Sequence, residues 1–168
     1  MLVNTVDTIT VNIMGLSLEQ HENRWNTSAH GRSVIYDLVY AAMSGSEMTE
    51  RLRAVGMLGQ SNDPRAVRPL MDLLLDPDAG IRLNATIALG LLRSGRPVDD
   101  LIDRLRDRAE QEDIRQQAAL TLAAIRSTGA IHGLREFASD STEDAGLRAS
   151  AASLLREMGA WEQERPVP

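Results

Sequence analysis

Three carboxylates recur in step along this chain. Asp72, Asp103 and Glu136 are spaced 31 and 33 residues apart, and each lies two positions beyond an apolar leucine, Leu70, Leu101 or Leu134. On a helix, two positions turn a side chain well away from its neighbour's face, so acids beside core leucines point outward. If the three helices pack side by side, the acids form a row spaced about 8–10 Å apart. That separation suits the two carboxyl groups of an inverting glycosidase. The chemistry, however, needs one carboxyl group with a raised pKa, from burial or a close like charge, and an open helix face supplies little of either. A sugar site also wants aromatic platforms. The chain is 3% aromatic, and Phe137 alone falls on these stretches, at a core position. The row is better read as a binding surface for a basic segment of another protein. Arg68, Asp99 and His132 are equivalent to one another at the same offsets. The candidate partner-binding set is therefore Arg68, Asp72, Asp99, Asp103, His132 and Glu136. An ordinary solvated helix face would also carry such charges.

Other chemistries lack their groups. The chain has no cysteine, which removes disulfides, thiolate nucleophiles and zinc–thiolate sites. Lysine is absent too, so all 18 basic residues are arginine. A phosphate-binding loop of the Walker type and a Schiff base both need that amine. The histidines are His21, His30 and His132. His21-Glu22 opens like a zinc-protease motif, but Trp25 stands where its second histidine belongs. No catalytic residue, metal or cofactor is expected.

These residues must be positioned by a repeat. Arg51, Arg82, Arg115 and Arg148 fall in register at offsets of 31, 33 and 33 residues, as do Ala54, Ala85, Ala118 and Ala151, and Leu58, Leu89, Leu122 and Leu155. Alanine and leucine four apart share one helix face, and the alanine lets a neighbouring helix come close. Each such helix is followed by a second apolar stripe: Val67, Leu70, Leu73 and Leu74, then Val98, Leu101 and Leu105, then Ile131, Leu134 and Phe137. Asp76, Asp107 and Asp140 mark where each second helix ends. A row of ligand-binding arginines would not need one member in every repeat. The arginines therefore read as structural forks pairing with nearby acids such as Asp76, Asp78, Asp113, Asp140 and Asp144.

The unit is a helix pair of thirty-odd residues. Its motif, Asp-Pro-Asp-x-x-Ile-Arg-x-x-Ala-x-x-Ala-Leu-Gly over 76–90, resembles the HEAT-like repeat of the type first associated with phycobilisome lyases. The resemblance covers residues 47–158 and implies an all-α fold, an α-α superhelix: a short HEAT-like solenoid of antiparallel helix pairs. In the third repeat Ala123 replaces the glycine. The resemblance also implies that the second helices line a concave binding face. For function it allows a protein-binding scaffold or assembly factor, or a subunit of, or accessory to, an enzyme such as a bilin lyase. A lyase role would need Arg65, Arg68, Arg96 and Arg135 for the propionates.

Helices are expected over roughly 33–43, 47–59, 64–75, 79–93, 97–109, 111–126, 130–139 and 143–158. The first is a cap or the second half of a degenerate repeat. Tyr36 and Tyr40 share one of its faces, and Trp161 is expected to cover the far end. The repeat domain then spans residues 32–160, with a loosely packed extension over 1–31 and a tail over 161–168. Within the extension, Ile9, Val11 and Ile13 alternate with polar residues in a strand-like pattern. Net charge is −6, which counts against nucleic acid. No signal peptide or membrane-length apolar run is seen, so a cytoplasmic protein without a membrane partner is expected.

Overall fold

The computed structural model describes residues 31–161. Readings that concern Ile9–Ile13, His21 and His30 lie outside the described residues, as does all of the C-terminal tail except Trp161. Eight α-helices follow one another: α1 (Gly31–Ser44), α2 (Met48–Gln60), α3 (Val67–Leu73), α4 (Ala79–Leu92), α5 (Val98–Arg106), α6 (Glu112–Ile125), α7 (Thr128–Ser139) and α8 (Ala145–Glu157). A 3-10 turn, Pro64–Ala66, leads into α3. This is the all-α, antiparallel helix-pair architecture that the repeat spacing predicts.

The first helices of the repeats, α2, α4, α6 and α8, pack in one layer, and α3, α5 and α7 pack against them in a second. The core is the face that the register marks. Ala54, Ala85, Ala118 and Ala151 are buried, as are Leu58, Leu89, Leu122 and Leu155. From the second layer come Leu70, Leu101, Leu105, Leu134 and Phe137, all fully enclosed. Small residues set how closely the first helices approach. A Cβ built on Gly59 would stand 2.7 Å from both Cα and Cβ of Ala88, so only glycine admits this contact of α2 with α4. Between α4 and α6 the contact is polar: Thr121 Oγ1 donates to the Thr86 carbonyl at 3.0 Å.

Helix starts use side-chain caps. Asp78 accepts from the Ile81 amide, Ser127 from Ala130, and Asp144 from Gly146 and Leu147. Two first helices end on a residue in the left-handed region, Arg93 (φ 49°) and Arg126 (φ 56°). The last ends at Gly159 (φ 69°), whose successor Ala160 donates back to the Leu155 carbonyl at 2.8 Å.

Tyr36 and Tyr40 do share a face of α1, but that face points outward, 61% and 72% exposed. The buried side of α1 is Ile35, Leu38, Ala41 and Ala42. The Arg65 guanidinium lies 5.7 Å from the Tyr36 ring. At the other end, Arg156 stands over Trp161 at 5.9 Å, and Arg126 and Arg135 donate to the carbonyls of Met158 and Ala160.

Candidate functional site: the second-helix surface and the arginine ladder

The six candidate residues all emerge on the second helices, and all are exposed. Arg68 and Asp72 lie on α3, Asp99 and Asp103 on α5, His132 and Glu136 on α7. The structure does not leave the three carboxylates equally available. Asp72 is held by Arg68, one turn earlier, at 3.1 Å. Glu136 receives Arg106 from the end of α5 at 3.1 Å and faces His132 Nε2 at 3.3 Å. Asp99 and Asp103 have no side-chain partner among the described residues, and Asp100 beside them is equally exposed. The negative charge therefore gathers on α5 rather than running as an even row. Asp99 and Asp100 occupy the first turn of that helix, where its dipole favours acids. Asp103 is beyond that turn and has no such local reason.

The in-register arginines form a ladder between repeats. Arg51 pairs with Asp76 and donates Nε to the Ala42 carbonyl at 3.0 Å. Arg82 makes a two-pronged pair with Glu110, at 2.7 and 2.8 Å, and reaches the Asp76 carbonyl at 2.8 Å. Arg115 meets Glu143 at 2.7 Å and the Leu105 carbonyl at 2.8 Å. Arg148 keeps the carbonyl contact, to Ala138 at 3.3 Å, and meets no carboxylate among the described residues. The guanidinium groups of Arg51, Arg82 and Arg115 thus join the end of the preceding second helix to the loop that opens the next repeat, while Arg148 keeps only the first of these two contacts. The Ala42 contact shows α1 acting as a second helix.

Glu110 is the most enclosed rung, its side chain 1% exposed. It is shared by Arg82 and by Arg104 at 3.0 Å, and its other oxygen accepts the Gln111 amide. The hydrogen bond from Arg82 outweighs burial and, with that amide and both arginine charges, holds its pKa below the usual carboxylate range. The same partnership raises Arg82 further. For Asp76, burial pushes upward, but the Arg51 hydrogen bond, the Asp78 amide and the charges of Arg51 and Arg82 together bring the pKa down.

Residues 36–112 match the family model of HEAT repeats. The match supports a HEAT-like repeat architecture across those residues. A solved structure of human deoxyhypusine hydroxylase in complex with glycerol is similar to it, with a TM-score of 0.65 and 25% identity, over 73% of this chain and 42% of that one. The chain thus spans less than half the length of that enzyme. No curated protein sequence matches it.

Of the acids expected to serve the arginines of these HEAT-like repeats, the structure keeps Asp76 and replaces the others. Asp140 instead accepts the Thr142 amide at 2.9 Å, just as Asp107 accepts from Ala109 and Asp76 from Asp78, all at 2.9 Å. These are turn-forming contacts two residues ahead. Asp78 and Asp144 cap helices, and Asp113 accepts its neighbour's amide. The ladder acids Glu110 and Glu143 were missed, although they stand 33 residues apart, in the same register as Arg82 and Arg115.

Among the described residues no group of three or more histidine, cysteine, aspartate or glutamate side chains could hold a metal ion, and no helix is long and apolar enough to cross a membrane. A shallow pocket of about 200 Å³ lies between α6 and α8, lined by Gln116, Leu120, Ser150, Ser153 and Leu154.

Proposed function

We propose that this chain is a non-catalytic scaffold or assembly factor that binds a basic segment of another protein on the surface of its second helices. The observation that carries the reading is Asp103, exposed on α5 without a side-chain partner among the described residues, with Asp99 and Asp100 close by. An unpaired carboxylate cluster attracts cations without first breaking an ion pair, whereas Asp72 and Glu136 would have to exchange one. The binding centre is therefore α5, with Arg68, Asp72, His132 and Glu136 at its flanks. The contact is complementary to a lysine- or arginine-rich peptide and not to a nucleic acid backbone, and the setting is the cytoplasm.

The test is capture from a lysate of the source cells. The full chain is compared with a folded Asp99→Arg/Asp103→Arg variant. A partner retained by the first and lost by the second supports the reading. Equal capture by both removes it.

A second reading, an enzyme subunit or accessory, draws on the likeness to human deoxyhypusine hydroxylase. A bilin lyase is the weaker form of it. Arg65 is already held by Asp63, Arg68 by Asp72, and Arg135 by the Ala160 carbonyl, which leaves little free charge for propionates. Absorbance of a bilin titrated with the chain would show a shifted band if this form were right.

A further inference from the structure

The first-helix layer has a surface of opposite character to the second. No charged residue occurs over 83–92 of α4, 116–125 of α6 or 149–155 of α8. The core takes one face of each helix, yet the outward face is not rebuilt from charge as on α5. It carries Ile87 and Leu91, then Gln116 and Leu120, then Ser153 and Leu154, all at least partly exposed. Solvated helices ordinarily place charge there, and these three present a neutral band with a groove between α6 and α8.

The edges of the band are charged, and with opposite sign. At the N-terminal ends of the helices stand exposed Glu112, Asp113 and Asp144. At the C-terminal ends stand exposed Arg93, Arg126 and Arg156, with one exposed acid among them, Glu157, which accepts from Ser153 of the band at 3.3 Å, so that the basic charge is net on α4 and α6. We infer that this band is a self-association surface on which two copies of the chain meet, related by a two-fold axis running across the helices. That axis is selected by charge. It lays each first helix antiparallel on its own counterpart, so the acidic edge of one copy faces the basic edge of the other. A two-fold axis along the helices would set acid against acid. Symmetry also explains the chemistry of the band. Residues near the axis meet their own kind, and an amide or hydroxyl donates and accepts at once, while a carboxylate on the second-helix face meets only repulsion. The side chains of Gln116 and Ser150 have no hydrogen-bond partner within the described residues.

The size is adequate for a weak complex. Helices of 14, 14 and 13 residues are about 20 Å long, and three at about 9 Å spacing give on the order of 550 Å² per copy. Two copies bury about 1,100 Å², at the lower edge of specific interfaces. The dimer leaves the acidic second-helix surface open.

Sedimentation equilibrium of the full chain up to about 300 μM would test this, since mass action drives such an association. The wild type is expected to dimerise in the micromolar range. Leu120→Arg, at a surface position in mid-α6, should stay monomeric with an unchanged helical spectrum. Arg126→Glu should weaken dimerisation about tenfold, and adding Glu112→Arg should restore it, because the exchanged charges again face each other. A wild type that remains monomeric throughout overturns the proposal. So does a Leu120→Arg variant that dimerises normally, an exchange that fails to restore association, or a dimer abolished by Asp99→Arg/Asp103→Arg instead.

Discussion

Glu110 shows how much one side chain can hold in a repeat whose core is otherwise small and apolar. It receives two arginines from one repeat and accepts the amide of Gln111, the residue just before the first helix of the next. A buried carboxylate so placed repays its desolvation only while both cations are present, and the cations are equally dependent on it. Glu110→Gln keeps the shape but leaves Arg82 and Arg104 short of a charge. The expected cost is about 3 kcal/mol at pH 7, which lowers Tm by about 10 °C in a domain of this size. The pH dependence follows from the depressed pKa values of Glu110 and Asp76. Each contributes stability that is complete above the unfolded value of about 4 and is lost as pH falls through the lower folded one. Wild-type Tm should therefore drop steeply below about pH 4, and the Glu110→Gln variant should show a shallower acid decline. Parallel thermal melts from neutral to acid pH measure both. Parallel slopes would mean that Glu110 is not linked to folding.

At the scale of the element, the close approach of α2 and α4 depends on the missing side chain of Gly59. Alanine is the better helix former by about 1 kcal/mol. Its methyl would meet the Ala88 backbone at 2.7 Å, where no flexible group can yield. Gly59→Ala should destabilise the chain by about 2 kcal/mol net, whereas Gly95→Ala, with nothing within 4 Å, should stay within about 0.5 kcal/mol. Urea melts of the two variants decide it. The helices themselves were legible in the sequence, because alanine and leucine at fixed register can satisfy only one face of one periodicity. All eight appear where that pattern puts them. The loops were not legible. Aligning Asp76, Asp107 and Asp140 assigned them one role, and they do share one, the turn contact. In the first repeat Asp76 also takes the arginine. In the next two the loop is two residues longer, which is the whole difference between offsets of 31 and 33, and a glutamate in the extra length takes that second task. The ion pair of Glu136 was hidden for a similar reason. Arg106 reaches it from a neighbouring helix, and periodicity along one helix says nothing of such a reach.

Across the whole molecule, stability in a stack of repeats is a sum of units and of the contacts between neighbours. The arginine ladder supplies polar contacts at each junction, while the Ala and Leu faces supply the apolar ones. The junctions are not alike. Arg51 and Arg82 are answered by Asp76 and Glu110, and Arg115 by Glu143, but Arg148 meets only a carbonyl among the described residues. Helix α8 is therefore tied to the stack through Glu143, just before its capping Asp144, and through its packing on α6 and α7. Cutting the Arg115–Glu143 rung should act locally. Arg115→Met keeps an unbranched side chain at the site but removes the guanidinium that lies 5.9 Å from the Phe137 ring and leaves Glu143, only 7% exposed, without its closest cation. Hydrogen exchange at neutral pH should then show amides of α8 losing protection about 30-fold, corresponding to about 2 kcal/mol of local opening, while α2 and α4 change little. Equal loss in every helix would instead mean that the chain opens as one cooperative unit, with the rungs too strong for neighbouring repeats to separate.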